Sequence, residues 1–233
     1  MSSTRPRQLK RTGTTARRLF ERLTQDILRG ELVGGQPLRE SRLAREWAVS
    51  RTPLREALRR AAEAGFVVLR PNQAPVVRKL SGADVDAMYD LRALLETHAL
   101  ALAWDRIAAD ILKRMARRAA AARPDGAKDW RRRCLRFDRA FHQIWTRLSG
   151  NSWLEADLRR QHQFWSVFQG WVGRDEAALR KPYEEHIAIL DAMRSGSKAR
   201  AINALRNHIL TSAEAVRKAL QSHKRDDKHD RHT

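Results

Sequence analysis

The chain has 233 residues, 42% hydrophobic and 32% charged, a composition that fits a folded globular protein of one or two domains and excludes a wholly unstructured one. Its 47 lysines and arginines against 27 acidic residues give a formal charge of +20, which points to a polyanionic partner such as a phosphate backbone. A lone cysteine, Cys134, excludes an intrachain disulfide, and no apolar run has the length of a membrane span, so no membrane partner and a cytoplasmic location are expected.

The charge is uneven, with 18 basic and 7 acidic residues among positions 1–80. Residues 1–13 carry Arg5, Arg7, Lys10 and Arg11 without an acid or an apolar leader, and are expected to form a disordered arm that touches DNA; the composition also suits an organellar transit peptide. A first domain is expected over 14–79. Ala16, Leu19, Phe20, Leu23 and Ile27 keep helical spacing from Thr15 to Arg29, where Gly30 ends the helix. Gly34, Gly35 and Pro37 then make a loop.

The stretch from Leu38 to Phe66 reads as a helix-turn-helix. Ser41 is expected to cap a short helix through Trp47 with Leu43, Ala44 and Trp47 on one face, and Ala48, Val49 and Ser50 form the turn. A second helix opens at Thr52-Pro53, buries Leu54, Ala57, Leu58, Ala61 and Ala62, and stops at Gly65. Its other face carries Arg51, Arg55 and Arg59 one turn apart, a guanidinium stripe suited to the DNA major groove or, alternatively, a solvated face of a helical hairpin. Val67-Val68-Leu69 and Val76-Val77 around a turn-rich tip read as two strands, a wing.

Leu43-Ala44, the run from Val49 to Leu58, Gly65-Phe66 and Arg70-Pro71-Asn72 together resemble the winged helix of GntR-type bacterial transcription regulators, over about residues 15–78. The resemblance implies that Ser50, Arg51, Thr52 and Arg55 touch DNA, with Asn72 at the wing. It departs at Ser41, which replaces an arginine seen in some members and leaves Arg39, Arg42 or Arg45 for the backbone, and at Ala74-Pro75, where a wing-tip glycine is common.

Residues 80–82 read as a linker, with Ser81 and Asp84 spaced as a capping box, and 83–220 as an all-α unit. Six helices are expected, at 83–104, 107–122, 129–149, 152–170, 182–194 and 198–220, with a possible short one near 175–180, in an antiparallel bundle; 221–233 is expected to be a charged disordered tail. The fold class is thus mostly α, a winged helix-turn-helix followed by a helical bundle. Asp138 and His142 stand at i, i+4, and His186 and His208 lie on later apolar-periodic helices. Three imidazoles and a carboxylate suit zinc, nickel or manganese, although such residues are also ordinary ion pairs or satisfied core groups. Trp104, Trp130, Trp145, Trp153, Trp165 and Trp171 are expected mostly in the core, with Trp165 and Trp171 as candidates for a pocket wall.

Tyr89-Asp90-Leu91-Arg92 to Glu96, Asp138 to His142, Ser149-Gly150-Asn151, Glu185-His186 and His208 resemble the helical ligand-binding domain of the FadR subfamily. That resemblance implies a divalent metal on Asp138, His142, His186 and His208, with a small carboxylate effector beside it and Arg92 near the pocket. Arg92 is equally placed to pair with Glu96, and Asn151 is more simply a helix cap. The function expected is a homodimeric, effector-controlled transcription regulator, a repressor, on a pseudo-palindromic double-stranded operator. The competing readings are a metal-dependent hydrolase with Glu185 as base and a nonspecific nucleic-acid-binding protein.

Overall fold

A computed structural model describes residues 6–172 and 177–229. The chain divides into two compact units with the boundary between Ser81 and Gly82, within the expected linker.

In the first unit α1 (Pro6–Leu28) packs behind α3 (Arg51–Glu63), with α2 (Glu40–Glu46) before it and the strands β1 (Val67–Val68) and β2 (Val76–Val77) after it. Ala16, Leu19, Leu23 and Leu28 are buried, while Phe20 and Ile27 are only half-buried. The helix begins well before Thr15: residues 6–13 are helical where a disordered arm was expected. Pro6 at the first position presets φ, and Gln8, Leu9, Lys10 and Arg11 are strong helix formers with no breaker among them. Arg5 lies outside the described residues.

Neither helix of the helix-turn-helix is capped as Ser41 suggested. Arg39 is the N-cap of α2 and Ser50 that of α3, and neither makes a side-chain capping bond. The turn instead depends on Ala48 at φ 51°, a left-handed conformation for a residue with a Cβ, after which Val49 N donates to Ala44 O at 2.9 Å. Leu54, Ala57, Leu58 and Ala61 are buried as their spacing requires, and Ala62 is half-buried. The wing is antiparallel, Val67 opposite Val77 and Val68 opposite Val76, and Leu69 falls outside it at 49% exposure.

The second unit, residues 82–221, contains α4 (Gly82–Ala103), a single 3-10 turn (Trp104–Arg106), α5 (Ala109–Ala121), α6 (Trp130–Leu148), α7 (Ser152–Val172), α8 (Ala177–Arg194) and all but the last turns of α9 (Lys198–His229). Helix α6 is the hub, packing against α4, α5, α7 and α8. It ends where Gly150 takes φ 70° and leaves room for Arg106, whose Nη1 donates to the Leu148 and Ser149 carbonyls at 3.0 and 2.6 Å. Asn151 caps α7 through Oδ1, accepting from Leu154 N at 3.0 Å. The short helix near 175–180 is the start of α8 rather than a separate element, since Pro182 removes only one bond of that helix. Helix α9 continues to His229 across the expected disordered tail, because Lys224, Arg225 and Lys228 favour helix and neither glycine nor proline intervenes.

Trp130, Trp145 and Trp165 are buried in this unit, and Trp130 Nε1 donates to Ala122 O at 2.9 Å. Trp153 corrects the expectation of a core role at 81% exposure: it precedes Leu154, and one step along a helix turns the ring away from the face that Leu154 and Leu158 bury. The side chain of Trp171 lies outside the description.

Leu54, fully buried beneath the helix-turn-helix, and Leu69, half in water, make a direct comparison. Leu54→Ala is expected to cost about 3 kcal/mol in denaturant unfolding of the winged unit, and Leu69→Ala no more than about 0.5 kcal/mol. Equal losses would contradict this packing.

Candidate metal centre and nucleic-acid interface

Four side chains from three helices meet beside the hub. Asp138 and His142 project from α6, His186 from α8 and His208 from α9; all four are buried, and one donor atom from each lies within 4.8 Å of the others. His142 Nε2 stands 3.1 Å from His186 Nε2 and 3.3 Å from His208 Nε2, while Asp138 Oδ1 is 3.6 Å from His186 Nε2 and 3.8 Å from His142 Nε2.

The outward edges of these groups are held by partners. His142 Nδ1 meets Glu96, His208 Nδ1 meets Glu185 at 2.8 Å, and Gln169 Nε2 donates to Asp138 Oδ2 at 2.6 Å. Carboxylates at Nδ1 place the proton there, so the Nε2 atoms of His142 and His208 turn lone pairs toward one another. Lone pairs at such separations repel unless a cation lies among them. Donors about 2.1 Å from one ion lie about 3.0 to 3.4 Å apart, the range of the nitrogen pairs, so the set fits a divalent metal by chemistry and by spacing.

The electrostatics favour neutral imidazoles. Burial, followed by the neighbouring rings His208 and His142, lowers His186 well below the ordinary histidine value; burial also lowers His208 against the opposing bond from Glu185. Burial of Glu96 favours its neutral form, yet the Arg92 guanidinium and then His142 outweigh this and hold its carboxyl well below the usual range. Arg92 is itself 1% exposed, bonded through Nε to Glu96 at 2.7 Å and stacked 4.6 Å from the Trp165 ring centroid. It therefore makes the expected pair with Glu96 and reaches the Asp/His cluster through that carboxylate.

A cavity of about 90 Å³ opens on the His142 side, between α6 and the α7 face carrying Glu155, Leu158, His162 and Trp165. Trp165 lines a pocket as expected. Glu96, Gln169 and His162 belong to this site without having been singled out for it: Glu96 showed only its i, i+4 relation to Arg92, while Gln169 and His162 carried no signal beyond lying on a predicted helix.

At the opposite end of the chain all nine expected DNA-contacting residues, Arg39, Arg42, Arg45, Ser50, Arg51, Thr52, Arg55, Arg59 and Asn72, are exposed. Arg51 starts α3 without an ion pair to any described residue. Arg55 Nε binds Glu40 at 2.6 Å, Arg42 binds Glu46 at 2.6 Å, and Arg59 is held by Glu56 and Glu63. Asn72 turns the wing at φ 55°.

A winged helix with an arginine-bearing second helix, followed by a helical unit with a buried Asp/His cluster beside a cavity, defines a ligand-responsive DNA-binding protein. The chain belongs to the GntR family of bacterial transcription regulators: residues 15–77 match the bacterial regulatory proteins of the gntR family, and residues 87–211 match the FCD domain. It is 32% identical over 155 residues to the Nta operon transcriptional regulator of Aminobacter aminovorans, covering 66% of this chain and 72% of that one. It is 28% identical to the probable D-xylose utilization operon transcriptional repressor of Paenarthrobacter nicotinovorans, covering 87% and 88% of the two chains. A GntR family regulator from Pseudomonas syringae pv. tomato superposes with a TM-score of 0.52 at 27% identity, over 91% of this chain and 89% of that one. The protein is thus a transcription regulator and not an enzyme, and the hydrolase reading finds no support. No described helix is long and apolar enough to cross a membrane.

The buried imidazoles set a pH dependence. His162 is lowered to about 4 by burial, then by Arg92, and His186 and His208 are lowered too, whereas in the unfolded chain each titrates near 6.5. Below that value the unfolded state takes up protons that the folded state refuses, so stability is full above about 6.5 and falls as pH drops, by up to about 1.4 kcal/mol per pH unit for each ring. Glu96, depressed from 4.5, adds its own loss only below that value. Metal-stripped protein is expected to show a thermal midpoint that declines from pH 6.5 to 4.5; a flat or rising midpoint would refute the buried neutral rings.

Proposed function

We propose that this regulator is a homodimeric repressor that binds a pseudo-palindromic operator through the winged helix and is released by a small carboxylate effector bound beside a divalent metal. The observation that carries the reading is the convergence of three imidazole nitrogens and a carboxylate oxygen next to a cavity. Asp138, His142, His186 and His208 would hold the ion, with zinc, nickel and manganese the metals this donor set suits. When bound, the ion supplies a Lewis-acid position for a carboxylate oxygen. Glu96 and Glu185 hold two of the rings by their Nδ1 edges, and Gln169 turns Asp138 so that Oδ1 faces the histidines.

Arg51, Thr52 and Arg55 lie at the N-terminal end of α3, where a helix entering the major groove meets base edges, while Arg39, Arg42 and Arg45 flank it toward the phosphates. Homodimer formation is supported by α4, whose Leu91, Leu94 and Leu102 are 44, 64 and 41% exposed along one side of the helix. Effector control requires only that the effector bind the DNA-competent and DNA-incompetent forms with unequal affinity. The names of the Nta and D-xylose utilization operon relatives associate this architecture with the control of operons, in the second case one for sugar utilization.

Two experiments test the halves separately. Arg51→Ala and Arg55→Ala are each expected to cost about 1 to 3 kcal/mol of discrimination between operator and scrambled duplex at one salt concentration, with the fold retained. An unchanged ratio in both variants would remove α3 as the reading helix. Elemental analysis of freshly purified protein should find about one metal per chain in the wild type and little in His186→Ala and His208→Ala. Equal content in all three would eliminate the metal site.

A further inference from the structure

The cavity beside His142 has two chemically distinct ends. At the inner end Trp165 is 2% exposed, and its Nε1 is a buried donor without a hydrogen-bond partner among the described residues; Nε2 of His162 is likewise buried and unpartnered among them. Leaving such groups unsatisfied costs about 1 to 3 kcal/mol each, so they point to a polar guest. Glu96 also lines this end but is already committed to Arg92 and His142, so it does not present a free anion to an incoming acid. Leu158 supplies an apolar wall.

At the outer end are two arginines of different standing. Arg159 is paired with Glu155 at 3.4 Å, whereas the Arg147 guanidinium makes no ion pair with any described residue. Both line the cavity. Arg147 stands five residues beyond His142 on the same helix, a rise of about 7.5 Å. An exposed cation lining the same cavity, with an apolar wall and buried polar groups as its other lining, matches a molecule with an anionic group at each end and a short hydrocarbon body between.

We infer that the effector is a short aliphatic dicarboxylate, one carboxylate at the inner end by Trp165, His162 and the metal cluster, and the second on Arg147. This rests on the proposed reading of the cavity as the effector site and adds the class of ligand. The inner contact accepts any carboxylate and gives affinity. The Arg147 contact, a charge-assisted bond available only to a second acidic group, gives selectivity between diacids and monoacids.

The test uses the full-length, metal-loaded protein and isothermal titration with malonate, succinate and glutarate against butyrate, a monoacid of succinate's length. The best diacid is expected to bind about tenfold or more tightly than butyrate, and Arg147→Gln is expected to abolish that preference while leaving butyrate affinity unchanged. Arg147 is exposed, so the variant keeps the core intact. Equal binding of diacids and butyrate to the wild type, or a preference that persists in Arg147→Gln, would overturn the dicarboxylate assignment and leave the carboxylate site standing. Binding of none of these acids to metal-loaded protein would overturn both.

Discussion

The second unit depends on one constraint: three imidazoles and a carboxylate must be packed together in the buried interior, out of bulk water. Removing polar groups from water costs free energy unless each finds a partner, and clustering their lone pairs adds repulsion. The fold answers the first cost on the outward edges, where Glu96 and Glu185 each accept a hydrogen bond from a ring and Gln169 donates one to Asp138. The inward edges present lone pairs of the kind a divalent cation would accept. Helix α6 is where the two requirements meet, since it carries both Asp138 and His142 and packs on four other helices. The Arg106 bonds that end α6 and the Asn151 cap that starts α7 hold the His142 helix and the Trp165 helix at one corner of the bundle.

Charge at this centre is balanced by a chain rather than by a pair. Arg92 offsets Glu96, and Glu96 in turn orients His142. A buried ion pair of this kind contributes little net stability, because desolvation offsets most of the Coulomb attraction, but removing one partner is costly. Its worth here is geometric: it leaves Nε2 of His142 facing the other two rings. Arg92 is thereby a support for the centre, and the cavity guanidinium with no acidic partner among the described residues belongs to Arg147, on the same helix as two of the four donors.

Much of this was legible in the sequence where the period of the chain carries the information. Leu54, Ala57, Leu58 and Ala61 define a face by spacing alone, and Pro53 and Gly65 mark its limits, so the winged helix needed little tertiary knowledge. The donor cluster was legible only in part. Asp138 and His142 share a turn, but His186 and His208 lie 44 and 66 residues from His142, and spacing cannot say which helix faces meet. Resemblance to the FadR subfamily supplied that link. Trp153 and Trp145 show the same limit from the other side: both are indoles on amphipathic helices, and only the packing puts one in water and the other in the core. The ends of α1 and α9 were misjudged because polar, charged residues read as unstructured although their intrinsic helix propensity is high.

The arginine stripe on α3 is also less uniform than its spacing implies. Arg59 is shared between Glu56 and Glu63, two carboxylates of its own helix, while Arg55 is tied to Glu40 of α2 and Arg51 has no acidic partner among the described residues. Exposed pairs of this kind are worth about 1 kcal/mol or less, so a phosphate or a guanine edge competes for Arg55 at small cost. Arg59 has two acids to give up and sits two turns further along the helix than Arg51. Glu40 also gives Arg55 one defined position before DNA arrives, which limits the side-chain entropy lost on binding. Of the three arginines, Arg51 and Arg55 are therefore the more readily released to an incoming anion, and Arg59 links the carboxylates along the outer face of α3.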